Sequence, residues 1–401
     1  MRMTGSRPCL LLNGNSPALA ALLLIVLAQG CGRGLRLSPE DLHSAPAQLD
    51  LRAKPELAWT VKLRSPPAAL LPLGSQAILV TTHRGELYRI NLETGLRDSP
   101  ILRPLRKAIT AQLVAGEQST LYIASARGQE LRAYDLLRGK LKWRRKKRGV
   151  TGPVILTDGM LVTAGLGGEV AAYDAGDGRS IWRRQLPGRI YRGVWGLDSL
   201  ALILTDGGTL YAFRTRIEAP RENDGAIDHA PLWQRELSLN PTAVVASGDG
   251  QLVLGDSDGN LLGIDSSGEE PQFHIRLDAP IYSRPVVIEG RVVVATAAGE
   301  VIALQLESGL PLWRVQGEGL VNAPLLAAGG GRGDLPATIV VPFARGILLA
   351  LELTTGRELW RYDLEGPIAL ASLTSGGIVV VGRRGELRYL QPPLSRGLQR
   401  P

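Results

Sequence analysis

Cysteine is nearly absent from this chain of 401 residues, which holds Cys9 and Cys31 and no others. The two are far apart and in no zinc-type spacing, so a disulfide framework and a structural zinc site are excluded and the fold must stand on packing. Histidine is scarce as well. His43, His83, His229 and His274 stand in no recognisable constellation, and neither a Ser-His-Asp set nor a phosphate-cradling loop can be assembled. No catalytic residue, resident cofactor or metal ligand is therefore expected. Phe and Met number three each, against 48 Gly and 26 Pro, a balance that suits many short elements joined by turns. The apolar run Pro17–Ala28 has 12 residues, too few for a spanning helix of about 20.

That run, preceded by Arg2 and Arg7, has the make-up of a signal peptide. It leads into Leu27-Ala28-Gln29-Gly30-Cys31, which resembles the lipobox of bacterial lipoproteins; Gly30 and Cys31 fit the pattern, whereas Ala28 and Gln29 depart from it. The resemblance implies cleavage before Cys31 and lipidation of that cysteine, so that the mature chain sits on a membrane without crossing it. The other reading is plain secretion with an incidental thiol. Residues 1–30 are thus assigned to a lipoprotein signal peptide and 31–55, polar and containing Pro and Ser, to a flexible tether. Some 20 flexible residues reach about 25 Å. Without the signal peptide 44 basic and 38 acidic residues remain, a net charge of +6, which favours solubility or anionic surfaces without naming a partner.

The rest of the chain repeats itself. "GEVAAYDAGDGRSIW" (168–182) has siblings at 85–99, 128–143, 259–273, 299–313 and 346–360, and degenerate copies begin at Gly208 and Gly385. Each copy reads Gly, polar residue, apolar run, polar or acidic residue, turn, then an aromatic eight positions beyond the acidic place. Those places are Asn91, Asp135, Asp174, Arg214, Asp265, Gln305, Glu352 and Gln391. Eight units of about 40 residues, each with a further apolar strand upstream, predict an all-β, eight-bladed β-propeller of four-stranded blades over residues 56–393, followed by a tail, 394–401. The Asp-x-Gly-Asp-Gly of 174–178 is then the turn between third and fourth strands, Gly178 supplying a positive φ. A calcium loop would need more oxygen ligands than its siblings retain.

Trp143, Trp182, Trp233, Phe273, Trp313 and Trp360 recur in register, but the first copy has Ser99 and the eighth runs out of chain. Trp59 lies 40 residues before Ser99, one period early. The N-terminal strand around Trp59 is accordingly predicted to be the outer strand of blade eight, pairing near Ile378–Leu390 and closing the ring. Trp195 is out of register and either packs locally or borders the channel.

The form G-x-h-x-A-h-D-x-x-[TS]-G-x-x-x-W, with h apolar, at 168–182, 299–313 and 346–360 resembles the pyrroloquinoline-quinone-type β-propeller repeat family, over Trp59 to about Gln391. Enzymes of that family carry a quinone on the axis, usually with a vicinal disulfide, a Ca²⁺ held by Glu, Asn and Asp, and a catalytic Asp. The missing Cys-Cys pair and the short chain set this sequence apart from them. Eight such blades behind a lipobox resemble instead the family's lipid-anchored members in outer-membrane β-barrel assembly. That implies a non-catalytic scaffold at the bacterial outer membrane, facing the periplasm, a monomer within a complex of envelope proteins such as a BamA-like barrel-assembly protein. Nucleic acid is no partner for an exported chain. The alternative is a quinone- or sugar-binding propeller enzyme or sensor lipoprotein.

One run stands out as a candidate partner-binding patch: Lys140, Lys142, Arg144, Arg145, Lys146, Lys147 and Arg148, on the outer strand of blade two and beyond. It reads equally as a charged edge that discourages strand pairing. Blade four carries an insertion, 214–231, that suits a partner loop and holds Asp224, Asp228 and His229 as a conceivable metal set; blade seven is lengthened at 327–338, where Arg332-Gly333-Asp334 is a chance match to an integrin motif.

Overall fold

The computed structural model describes residues 49–73, 76–97, 111–116, 120–125, 130–146, 154–190, 194–215, 227–237, 241–246, 250–268, 271–329 and 337–393. Every element among them is a strand or turn, gathered into eight small sheets. The innermost strands touch in cyclic order, Ile368–Thr374 of blade eight returning to Pro67–Leu73 of blade one, so the sheets form a closed eight-bladed propeller. Blade three shows the local logic. Val154–Thr157, Met160–Ala164, Glu169–Asp174 and Ser180–Gln185 run antiparallel from the axis outward. The second strand of a blade lies between two neighbouring blades, and for that reason Ala77–Thr82, Met160–Ala164 and Gln251–Asp256 are buried at every position instead of alternating.

The strand count departs from four per blade at two places. Blade one shows three strands among the described residues, with a single further bridge, Ile90 to Arg97. Blade three has a fifth: Ile227–Asp228, from the blade-four insertion, pairs parallel to the outer strand at Trp182 and Arg183.

Blades are joined by their aromatics. In blades two, three, six and seven the outer strand bulges one residue ahead of the tryptophan, which then pairs with Ala133, Ala172, Ala303 or Ala350. The indoles of Trp143, Trp233 and Trp313 reach across to the next blade's turn. Trp143 Nε1 donates to Ala175 O at 3.0 Å, Trp233 to Ser266 O at 3.2 Å and Trp313 to Leu353 O at 2.7 Å. Beneath each ring lies the turn glycine: a Cβ on Gly178, Gly268 or Gly356 would stand 2.7, 2.5 or 2.7 Å from the indole, and all three have φ near +70°. Glycine is required there twice over, by backbone conformation and by contact. The Asp174 turn is as expected, its Oδ1 accepting from the N–H groups of Gly176 and Asp177.

Closure follows the same rule. Glu56–Lys62 pairs antiparallel with Glu386–Gln391, Trp59 opposite Tyr389 with ring centroids 5.3 Å apart. Trp59 Nε1 donates to Leu92 O at 2.7 Å and the ring covers Gly95, so blade eight docks on blade one as its siblings dock on theirs. The segment expected as tether, 31–55, has an end that is packed: Leu51 is fully buried and its carbonyl accepts Trp360 Nε1 at 2.6 Å. Asp50 Oδ1 meanwhile accepts the Arg52 N–H. Asp50-Leu51 thus stands where blade eight would otherwise have its Asp-turn, of which Asp174-Ala175 is the pattern. Residues 1–30, with Cys31 and the tail 394–401, lie outside the described residues.

The disc has two faces. The proximal face carries the turns after the first and third strands and receives Asp50-Leu51; the distal face carries the turns between second and third strands and the links from blade to blade. Replacing Trp360 with Phe deletes one buried indole bond and is expected to cost about 1 kcal/mol, whereas Trp59→Ala, which empties the seam, should cost about 3–5 kcal/mol. Urea unfolding followed by circular dichroism measures both; equal losses would deny Trp59 its closing role.

Candidate partner-binding surface

The basic run on blade two is Lys140–Lys146 as a strand, exposed at every position but Trp143. It crosses the rim from proximal to distal face, so its cations do not share one surface. Strand alternation divides them further. Arg145 lies on the side of Trp143 and is a junction residue: its Nε and Nη2 donate to Gly178 O at 3.1 Å and Asp177 O at 2.9 Å of blade three. Arg235, two beyond Trp233, repeats this bond to Gly268 O at 2.9 Å. Lys142 Nζ reaches Thr120 Oγ1 at 3.2 Å, and Arg144 grips Glu130 together with Arg132. Lys140 and Lys146 are exposed, while Lys147 and Arg148 lie outside the described residues.

Glu130, on the neighbouring strand Glu130–Asp135, is the electrostatic centre of this edge. Burial by itself pushes its carboxyl upward, but the hydrogen bonds and charges of Arg144 and Arg132 outweigh burial and hold it below the ordinary 4.5. Arg144 is therefore a partner of Glu130 before it is a partner of anything else.

Other expectations resolve in the same way. The described end of the blade-four insertion is docked: the His229 ring lies 5.0 Å from Trp182 and 6.0 Å from Phe213, which is itself 5.2 Å from Trp182, so the three rings form one cluster. Asp224 is outside the described residues, and among these no group of three His, Cys, Asp or Glu stands together to hold a metal. Trp195 is half-buried and packs with Trp233 on the core between blades four and five. The fully buried Asp256 is bound up in its own turn, accepting from Asp258 N, Asn260 N and Asn260 Nδ2. An open groove of about 620 Å³ on the rim between blades seven and eight is lined by Lys54, Glu56, Leu57 and Tyr362, with Lys54 Nζ 5.5 Å from the Tyr362 ring centre.

Sequence reasoning missed a second cationic group. Arg84, Arg345 and Arg384 each precede the glycine of a distal turn, in blades one, seven and eight, and all are exposed. Their signal was an Arg-Gly pair at one fixed place in the repeat, recurring in neighbouring blades.

The family described as "Outer membrane protein assembly factor BamB" matches residues 102–227 and 216–384. Among solved structures, BamB from Moraxella catarrhalis superposes with a TM-score of 0.61 at 16% identity, over 84% of this chain and 99% of that one. The computationally designed Ika8 protein does so with a TM-score of 0.65 at 12% identity, over 88% of this chain and 100% of its own. Both likenesses are of fold. No curated protein matches the sequence.

A carboxyl held below its ordinary value contributes stability that is complete above 4.5 and is lost as pH falls through the lower folded value. Glu130→Gln should accordingly destabilise the protein at neutral pH and flatten the acid limb of its stability curve. Melting temperatures of both proteins between neutral and acid pH measure this; parallel curves would show that Glu130 is not clamped.

Proposed function

The chain belongs to the outer membrane protein assembly factor BamB family, and from that membership we propose that it is a non-catalytic, lipid-anchored scaffold of the bacterial envelope, which binds other proteins during assembly of outer-membrane β-barrels. The observation that carries the reading is the family match across residues 102–384 of a closed eight-bladed ring. A closed ring of sheets can present several partner surfaces at fixed angles without rearranging, which suits a protein that holds others in place.

In this reading Cys31 carries the lipid, the residues between it and Leu49 are the tether, and the disc hangs on the periplasmic side of the outer membrane. Its partner is a BamA-like barrel-assembly protein, and it works as one copy within that complex. The Asp50-Leu51 latch fixes the far end of the tether to the proximal face.

Affinity capture of the full chain from envelope extracts, with crosslinking, should recover the barrel-assembly proteins. Saturable binding of pyrroloquinoline quinone with dehydrogenase activity would instead reject the scaffold. Cys31→Ser should leave folding unchanged and release the protein from membranes, which fractionation detects; retention on the membrane would count against the anchor.

A further inference from the structure

On the distal face, five arginines form a continuous arc over three adjacent blades: Arg345 of blade seven, Arg383 and Arg384 of blade eight, and Arg64 and Arg84 of blade one. Backbone bonds tie their loops in sequence. Ile368 N donates to Ala344 O, Arg383 N to Pro367 O, Leu63 N to Gly385 O and His83 N to Pro66 O, at 3.2, 3.3, 3.0 and 3.0 Å. The guanidinia therefore ride on a fixed scaffold and not on separate mobile loops.

Among the described residues these arginines have no counter-ion, in contrast to those that pair with carboxylates. Arg132 and Arg144 hold Glu130, Arg314 holds Glu300, Arg357 holds Glu352, and Arg361 holds Glu318 and Glu358. Among the described residues none of the five on the arc makes an ion pair or a side-chain hydrogen bond, and all are exposed. Acids stand near them without pairing: Glu86 accepts from Thr82 Oγ1, Glu386 lies 3.7 Å from Lys62, and Asp363 and Glu365 are exposed, and among the described residues none of these forms an ion pair with the five. Uncompensated like charges repel, and their assembly on rigid turns suits an anion that comes from outside.

We propose that this arc is a docking surface for an acidic segment of a partner protein, its guanidinia pairing with Asp or Glu carboxylates. Phosphates of a membrane surface share the chemistry, but the geometry disfavours them on two grounds. The chain joins the ring at the proximal face through Leu51, so attachment by the preceding segment turns the arc away from the bilayer. The same face is also polarised: the corresponding turns of blades four and five carry Asp206, beside the exposed Arg189, and Asp258, and the link into blade six carries Asp278. A flat anionic plane would meet both halves and be repelled by one, whereas a protein segment engages the arginine sector alone. The choice of a protein over a lipid occupant rests in part on the lipid anchor of the proposed function, but failure of the arc to bind an acidic peptide would leave the barrel-assembly reading standing.

The test is fluorescence anisotropy of a labelled peptide of alternating Glu and Gly residues, titrated with the purified full chain at rising salt. Binding should weaken with salt, and Arg383→Glu/Arg384→Glu or Arg64→Glu/Arg84→Glu should weaken it by about tenfold or more. Lys140→Glu, at an exposed cation of the opposite face, should leave it unchanged. The charge-neutral Arg383→Gln/Arg384→Gln, with melting temperatures, separates lost binding from lost fold. Equal binding by the wild type and the reversed variants overturns the proposal. So does arginine-dependent binding to phosphatidylglycerol vesicles without affinity for the peptide, which would make the occupant a lipid surface.

Discussion

The contact on which this ring depends is an indole laid on the glycine of the next blade's turn, its N–H bonded to a carbonyl beside it. Strands hold each blade together, but apart from the short pairing of Ile227–Asp228 with blade three and scattered loop bonds no strand ladder joins one blade to the next among the described residues, so much of the cohesion of the disc falls to side chains. Burying an aromatic face contributes about 1.5–3 kcal/mol and a net hydrogen bond about 1 kcal/mol, and the arrangement recurs around the circle. It also explains what the repeat keeps and what it lets vary. The turn glycine must stay, because Trp59, Trp143, Trp233 and Trp313 each occupy the space of its missing Cβ. The acidic place is freer: Asn91, Asp174 and Asp265 all bond the backbone two or three residues on, through the same side-chain oxygen.

Where the pattern is interrupted, the structure shows what must be replaced. At the blade-four insertion Trp182 finds neither a turn glycine nor an acceptor among the described residues, and its Nε1 has no hydrogen-bond partner there. Phe213 and His229 cluster with the ring instead, and Ile227–Asp228 adds a strand to the same edge. The insertion, which as sequence reads as a loop for a partner, is in its described part a patch on a defective junction. Its hydrophilic composition concealed this because the residues that dock, near His229, are a small fraction of it.

The ring, its eightfold count and its closure by the strand of Trp59 were legible because they rest on periodicity, and side-chain period survives substitution. The division of labour within the basic strand was not. Arg145 and Lys146 are neighbours of like charge, yet one donates to the backbone of blade three and the other faces water. Composition cannot separate an arginine that bonds a carbonyl from one that attracts an anion. The latch was hidden for a different reason: Asp50 stands nine residues before Trp59, where every full copy has eight, and Lys54-Pro55 breaks the motif. The distal arginines were visible in principle, yet only once the copies are aligned by the face their turns occupy.

Closure and charge meet at the same seam. Blade hairpins are local and form early, whereas the bond from Trp360 to Leu51 joins residues 309 apart and can form only when the last blades are in place. Arg345, Arg383, Arg384, Arg64 and Arg84 lie astride that late junction, three on blades seven and eight and two just past the point where the N-terminal strand leaves blade eight. Their mutual repulsion opposes closure, and the indoles of Trp59 and Trp360 with the Lys62–Glu386 pair at 3.7 Å must offset it. An anion bound across the arc would remove the repulsion and clasp both ends of the chain at once. The surface best fitted to hold an acidic partner is therefore also the one through which a partner would stabilise the ring.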